Sequence, residues 1–148
     1  MSSPADAIVR GARKESGLWA RSLTDGGVFE PIFSPLAPDE FAEGLETVYE
    51  AYLVHYGNPR LFAPADHDEA VLLGDYLYAH GLVRIAEVGG VTAVAVMADL
   101  ISRCAALRAD AAAGDGDAWV DAARALGGEP HEGAISHALA AHSARVAP

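Results

Sequence analysis

Residues 49–82, YEAYLVHYGNPRLFAPADHDEAVLLGDYLYAHGL, contain the end of one helix, a stop, and the start of another. Upstream of the stop, Phe41, Leu45, Val48, Tyr49, Tyr52, Leu53 and Tyr56 recur at steps of three and four, which gathers them on one apolar helical face. Gly57 and Pro59 end that pattern, because glycine favours a helix C-terminus and proline cannot continue one. Asp66, with Glu69 three residues later, is an acidic variant of the capping box and opens the next helix, expected to run to Val88 before Gly89-Gly90.

The same signals repeat on both sides. Residues 91–112 read as a further helix with Val94, Met97, Leu100, Ile101, Cys104 and Leu107 on one side. Residues 117–126, closed by Gly127-Gly128, and residues 130–146, with Ile135, Ala138, Leu139 and His142 on one face, give two more. Near the N-terminus, Ser3 as cap, Pro4 at the first helical position and Asp6 in the first turn predict a short helix to about Ser16. Residues 24–38 carry Asp-Gly-Gly and three prolines and read as an extended connector, whose Phe29, Ile32 and Phe33 are expected to lie against the body. No segment alternates with the period of two of a half-buried strand. The expectation is an all-α protein: an antiparallel helical bundle of about six helices, with a short helix and Pro/Gly-rich connector in 1–37 and the bundle domain in 38–148.

Composition narrows the function classes. A formal net charge of −11 over 148 residues argues against nucleic acid and anionic membrane surfaces, which reward clustered Lys and Arg. Cys104 is the single cysteine, so a disulfide framework is impossible and a reducing, cytoplasmic setting is expected. The N-terminal residues lack the apolar core of a secretory signal, and the uncharged run 88–98 is shorter than the ~20 residues that cross a bilayer, so no membrane span is expected.

Metal and catalytic signatures are thin. His67, Asp68 and Glu69 are consecutive and point in different directions on a helix; His137 and His142 are five apart, off the three-or-four spacing of two ligands on one face. No Glu-x-x-His, P-loop, Gly-x-Ser-x-Gly or Gly-x-Gly-x-x-Gly occurs. No catalytic residue, metal site or cofactor is expected; a general base at His55 or His67 is the weaker alternative, since neither has a visible orienting partner.

The stretch AVLLGDYLYAHGLVRIAE resembles the trans-polyprenyl diphosphate synthases, in which an apolar run leads into Gly-Asp-Tyr/Phe-Leu and then small and aliphatic residues. In that family the upstream helix ends in a His followed by DDxxD, which holds Mg²⁺ against a diphosphate. Here the helix ends in LVHYGNPR, and aligning His55 with the family His sets Tyr56, Gly57 and Arg60 at the aspartate positions, none of which supplies a carboxylate. With SRCAALRAD downstream, the chain is similar to the short, non-catalytic small subunits of heteromeric polyprenyl diphosphate synthases.

That resemblance implies half of an isoprenoid-synthase-like fold and a role as a non-catalytic subunit pairing with a DDxxD-bearing synthase to shape its product channel. Tyr49, Tyr52, Tyr56, Leu73, Tyr76 and Leu77 are then the expected partner interface or a wall around an apolar ligand such as a prenyl chain. Gly74 and Gly81, seven apart, together with Asp75, mark a close approach of helices, with a polar-cavity role for Asp75 as the alternative. A stand-alone carrier of an apolar ligand is the alternative function.

Overall fold

The computed structural model describes residues 3–24 and 29–146. The Asp-Gly-Gly part of the predicted connector, within 25–28, lies outside the described residues. The chain forms α1 (Pro4–Glu15), α2 (Gly17–Ser22), α3 (Ala42–Tyr56), α4 (His67–Ala109), α5 (Asp115–Ala125) and α6 (Glu132–Arg145), with two 3₁₀ turns at Ser34–Leu36 and Asp39–Phe41 before α3. Among the described residues the only β-type pairings are isolated bridges, Leu23 with Phe62 and Gly57 with Val146. The all-α bundle expected from the sequence is the observed fold class.

The N-terminal helix starts as read: Ser3 accepts the Asp6 N–H and Asp6 accepts the Ser3 N–H, a reciprocal cap. It ends one residue early because Ser16 is extended, at φ −164°, and its hydroxyl caps a second helix by accepting the Trp19 N–H. That short α2 was not foreseen; glycine at its first position hides it.

α3 is the axis of the molecule. Its residues 44–54 are all buried, because other elements surround it. A methyl on Gly74 would overlap the His55 ring, one on Gly81 would come 2.5 Å from Val48 Cγ2, and one on Gly44 would come 2.7 Å from Ile85 Cδ1. Those three meetings run in opposite chain directions, so the first arm of α4 is antiparallel to α3. At Gly90 the backbone leaves helical geometry, with φ 67° and ψ −159°. Gly89, just before the break, lies against Phe41 at the start of α3, while Arg108, near the end of α4, bonds Tyr52 near the end of α3. The second arm therefore runs back along α3, and α4 is a hairpin folded at Gly90, where the sequence places a Gly-Gly boundary. By length and composition alone α4 qualifies as a membrane span, unlike the expectation drawn from the uncharged run 88–98, and only 22% of its most apolar window is buried within the fold, so that window is not covered as a core helix would be.

Two apolar clusters flank α3. The larger joins Phe33, Leu36, Leu45, Val48, Tyr49 and Tyr52 to the second arm of α4, α5 and α6. The smaller joins Ile8, Ala12 and Trp19 of the N-terminal helices to Ala51, Leu73 and Leu77. Each fully buried Leu, Ile or Phe contributes about 1.5–3 kcal/mol, so residues ahead of α3 are part of the core. Ile32 and Phe33, expected against the body, are 3% and 1% exposed.

Two glycine variants separate packing from backbone strain. Gly81→Ala presses on Val48 and is expected to cost about 1–3 kcal/mol. Gly90→Ala has open space around its Cβ, so a loss of about 1–3 kcal/mol there reports the positive φ alone. Urea midpoints at unchanged slope, compared with the parent chain, measure both.

Candidate functional site

Two polar networks are built on the inner faces of α3. In the first, Glu46 and Glu50, one helical turn apart, enclose Arg60, and all three side chains are fully buried. Arg60 Nε donates to Glu50 Oε1 at 2.9 Å, Nη1 donates to Glu46 and to the Glu30 carbonyl, and Nη2 donates to the Glu46 carbonyl at 3.3 Å. The carboxylates also accept backbone N–H groups: Ile32 and Ser34 on Glu46, Arg60 and Leu61 on Glu50. Burial opposes the Arg60 charge, but the two carboxylates outweigh it and hold the guanidinium above its ordinary range. Phe29 covers the guanidinium, 4.2 Å from ring centroid to Cζ.

In the second network Tyr49 and Tyr52 reach the ends of the later helices. The Tyr49 hydroxyl lies 2.7 Å from His142 Nδ1, and His142 Nε2 lies 3.0 Å from Asp115 Oδ2. Donation from Tyr49 to Nδ1 leaves Nε2–H to donate to Asp115, which satisfies every member. Tyr52 donates to the same Asp115 oxygen at 2.7 Å, Arg108 Nη2 donates to it at 2.8 Å, and the Gly116 N–H donates to Oδ1. Burial would raise the Asp115 carboxyl; the hydrogen bonds from His142, Tyr52 and Arg108 outweigh it and hold the group well below the usual range. A carboxylate engaged by donors from three other helices is a clamp joining α3, α4, α5 and α6. Trp119 lies between Phe33 and Tyr49, and its indole N–H has no hydrogen-bond partner among the described residues.

The expected interface residues fall mostly inside the chain. Tyr49, Tyr52, Leu73 and Leu77 are at most 1% exposed. α1 and α2 cover Leu73 and Leu77, and Tyr76 stacks on Trp19 at 5.6 Å. Tyr56 packs beside Tyr52 at 4.9 Å between ring centroids. These side chains already have partners within the fold: the N-terminal helices cover Leu73, Tyr76 and Leu77, and Phe33, Trp119 and His142 surround Tyr49 and Tyr52. Gly74 and Gly81 meet α3 as described, whereas Asp75 points outward, its side chain 70% exposed and 3.6 Å from His55 Nε2.

Among the described residues no group of His, Cys, Asp and Glu has metal-binding geometry. Burial lowers the His55 pKa against the opposing pull of Asp75, and the ring stacks on Tyr78 at 5.3 Å. His67 is exposed at the first position of α4. Cys104 is buried, and burial pushes its thiol up to about 11, so it is protonated at neutral pH. Glu46 and Glu50 escaped the sequence reading because they fall beside Glu43 on the side of α3 away from its apolar stripe, where acids read as solvated. Asp115 and Arg108 carry no signal, since each resembles a solvated helix end.

No family model, no curated protein and no solved structure matches the chain.

Removing one side of the Arg60 cluster should be more costly than any surface change. Arg60→Met leaves two buried carboxylates uncompensated and is expected to lose about 3–5 kcal/mol, measured by chemical denaturation; Arg60→Lys, which keeps the charge without the fork, should fall between. The second network predicts an acid limb. Asp115 has a lowered folded pKa, so its contribution is fully present above the unfolded value of 3.8 and is lost as pH falls below it. Urea midpoints at pH 7, 5 and 3 should show Asp115→Asn less stable at pH 7 and with a shallower decline between pH 5 and 3 than the parent chain.

Proposed function

We propose that the protein is a non-catalytic helical subunit that works by docking another helical chain through the outer face of the α4 hairpin. The observation that carries this reading is exposure. Both arms turn their packed sides to α3, so their free sides share the opposite face. There Leu72 and Val83 of the first arm are 57% and 55% exposed and Val91 of the second is 87% exposed. Ala79, Ala95 and Ala98, also exposed, fill the same strip with small side chains that let a helix approach closely.

The size is adequate. Each arm is about 30 Å long and about 10 Å across, so two together offer roughly 600 Å², against about 800 Å² per side in a standard interface. On a chain of net charge −11, exposed Asp75, Glu87 and Asp99 punctuate this apolar strip, so a complementary surface is apolar with basic groups opposite those acids. Arg84 and Arg103 at its margins are already paired with Glu43, Glu87 and Asp121. The resemblance of residues 70–87 to polyprenyl diphosphate synthases supplies the identity of the partner, a DDxxD-bearing synthase whose product channel this subunit helps to shape. The Gly74/Gly81 contact seats the first arm closely on α3.

Co-expression with such a synthase, size-exclusion chromatography, and product chain length with and without the subunit test the reading. A stable mixed complex is expected. Val83→Asp and Val91→Asp, at positions 55% and 87% exposed, should abolish it while the isolated subunit keeps its helical circular dichroism and a cooperative melt. Failure to form a complex, or a complex indifferent to both substitutions, would sink the proposal.

A further inference from the structure

The outer face of the α4 hairpin is furrowed, and its unpaired charge is of one sign. Tyr78 and Leu82 of the first arm and Val94 and Ile101 of the second are partly buried members of one cluster. The two arms therefore lie side by side on α3, and these four side chains floor the furrow between them. Exposed Ala79 and Ala86 on one arm and Ala98 and Ala105 on the other keep its walls low. A furrow between two helices is the seat of a third, whose side-chain rows interdigitate at an axial distance of about 8–10 Å.

The ionisable groups along the hairpin do not balance. Its arginines are engaged within the fold, Arg84 with Glu43 and Glu87, Arg103 with Asp121 and Arg108 with Asp115. Asp68, Asp75 and Asp99 are exposed, and among the described residues none of them pairs with Lys or Arg. Asp68 and Asp75 lie one turn either side of exposed Leu72, and Asp99 lies one turn beyond exposed Ala95, so the acids stand on the free side of each arm. His55, 3.6 Å from Asp75, is uncharged at pH 7 because burial lowers its pKa. Two occupants fit this pattern poorly. A second copy of the chain would set the same acids against one another, on a molecule of net charge −11. A bilayer would meet three carboxylates with its apolar core or its phosphates, both unfavourable.

We infer that the docking element is a single amphipathic helix, with an apolar stripe that fills the furrow and Lys or Arg on its flanks opposite Asp68, Asp75 and Asp99. The inference rests on docking through the α4 hairpin and adds the chemistry of what docks there. The stripe supplies adhesion, and the flanking cations supply orientation and choice of partner, because rim charges discriminate more than they bind.

Peptides of about 18 residues match the length of an arm at about 1.5 Å per residue. Three are titrated with the full chain at low salt and followed by fluorescence anisotropy: a Leu/Ala stripe at helical spacing with Lys flanks, the same stripe with Glu flanks, and the Lys composition scrambled to destroy the stripe. The first should bind about tenfold or more tightly than either of the others. Asp75→Asn/Asp99→Asn should weaken it about fivefold to tenfold, whereas Glu129→Gln/Glu132→Gln, the same change in charge outside the hairpin, should leave it within about twofold. All four positions are exposed, and circular dichroism checks that the fold is unchanged. Equal binding of the Lys and Glu peptides, equal binding of the ordered and scrambled Lys peptides, an Asp75/Asp99 variant no weaker than the Glu129/Glu132 one, or no binding at all would each overturn the inference. So would co-sedimentation with phosphatidylcholine vesicles that Val83→Asp abolishes, which assigns the face to lipid. The Val83 and Val91 variants separate the two readings. A partner complex that they abolish but Asp75→Asn/Asp99→Asn leaves unchanged keeps α4 docking and removes the basic helix; peptide binding that they leave unchanged removes α4 docking itself.

Discussion

The fold depends on a charge taken out of water. Arg60 sits in the loop after α3, and its guanidinium is enclosed by Glu46 and Glu50 of that helix with no exposure of any of the three side chains. Burying such a group without partners is prohibitive, and burying it with only one is poor; two carboxylates, two carbonyls and four backbone N–H groups leave little unsatisfied. The cluster also fixes chain paths. The N–H groups of Ile32 and Ser34 attach the segment before α3 to Glu46, and those of Arg60 and Leu61 attach the loop after it to Glu50. Both non-helical stretches that cross α3 are thereby held to its surface.

The aromatic residues extend the same logic to the other end of α3. Tyr49 and Tyr52 bury their rings against Phe33 and Trp119 and send their hydroxyls to His142 and Asp115. One carboxylate, Asp115, receives donors from α3, α4 and α6. Burial of the tyrosines pushes both phenols above their ordinary range, so they remain protonated donors at any pH the fold experiences. With the interior so completely paired, the groups left for intermolecular work are those on the outside: the apolar strip of the α4 hairpin and the acids along it.

Helix positions were legible because apolar spacing and end signals are local. The Gly57/Pro59 stop, the Asp66 cap and the Gly89-Gly90 boundary all mark real changes of direction. The candidate site was less legible. Tyr49, Tyr52, Leu73 and Leu77 are apolar positions as read, but apolarity gives only the need for cover; α1 and α2 provide it for the two leucines, and Phe33 and Trp119 for the two tyrosines. Glu46 and Glu50 were not legible, because they lie off the apolar stripe of α3 and only the surrounding elements bury them. Asp115, at the first position of α5, could not be told from an ordinary helix-start acid, because two of its partners, Tyr52 and His142, are 63 and 27 residues away in the chain.

The sequence by itself determined that this protein is helical and where its longer helices start and stop, since those depend on residues within a turn or two of one another. Only the tertiary structure decided that Arg60 is an internal cation, that α4 folds back on itself, and which apolar face remained uncovered. These outcomes follow from which distant segment reaches a surface first and fits it best, a competition between contacts that no local spacing records.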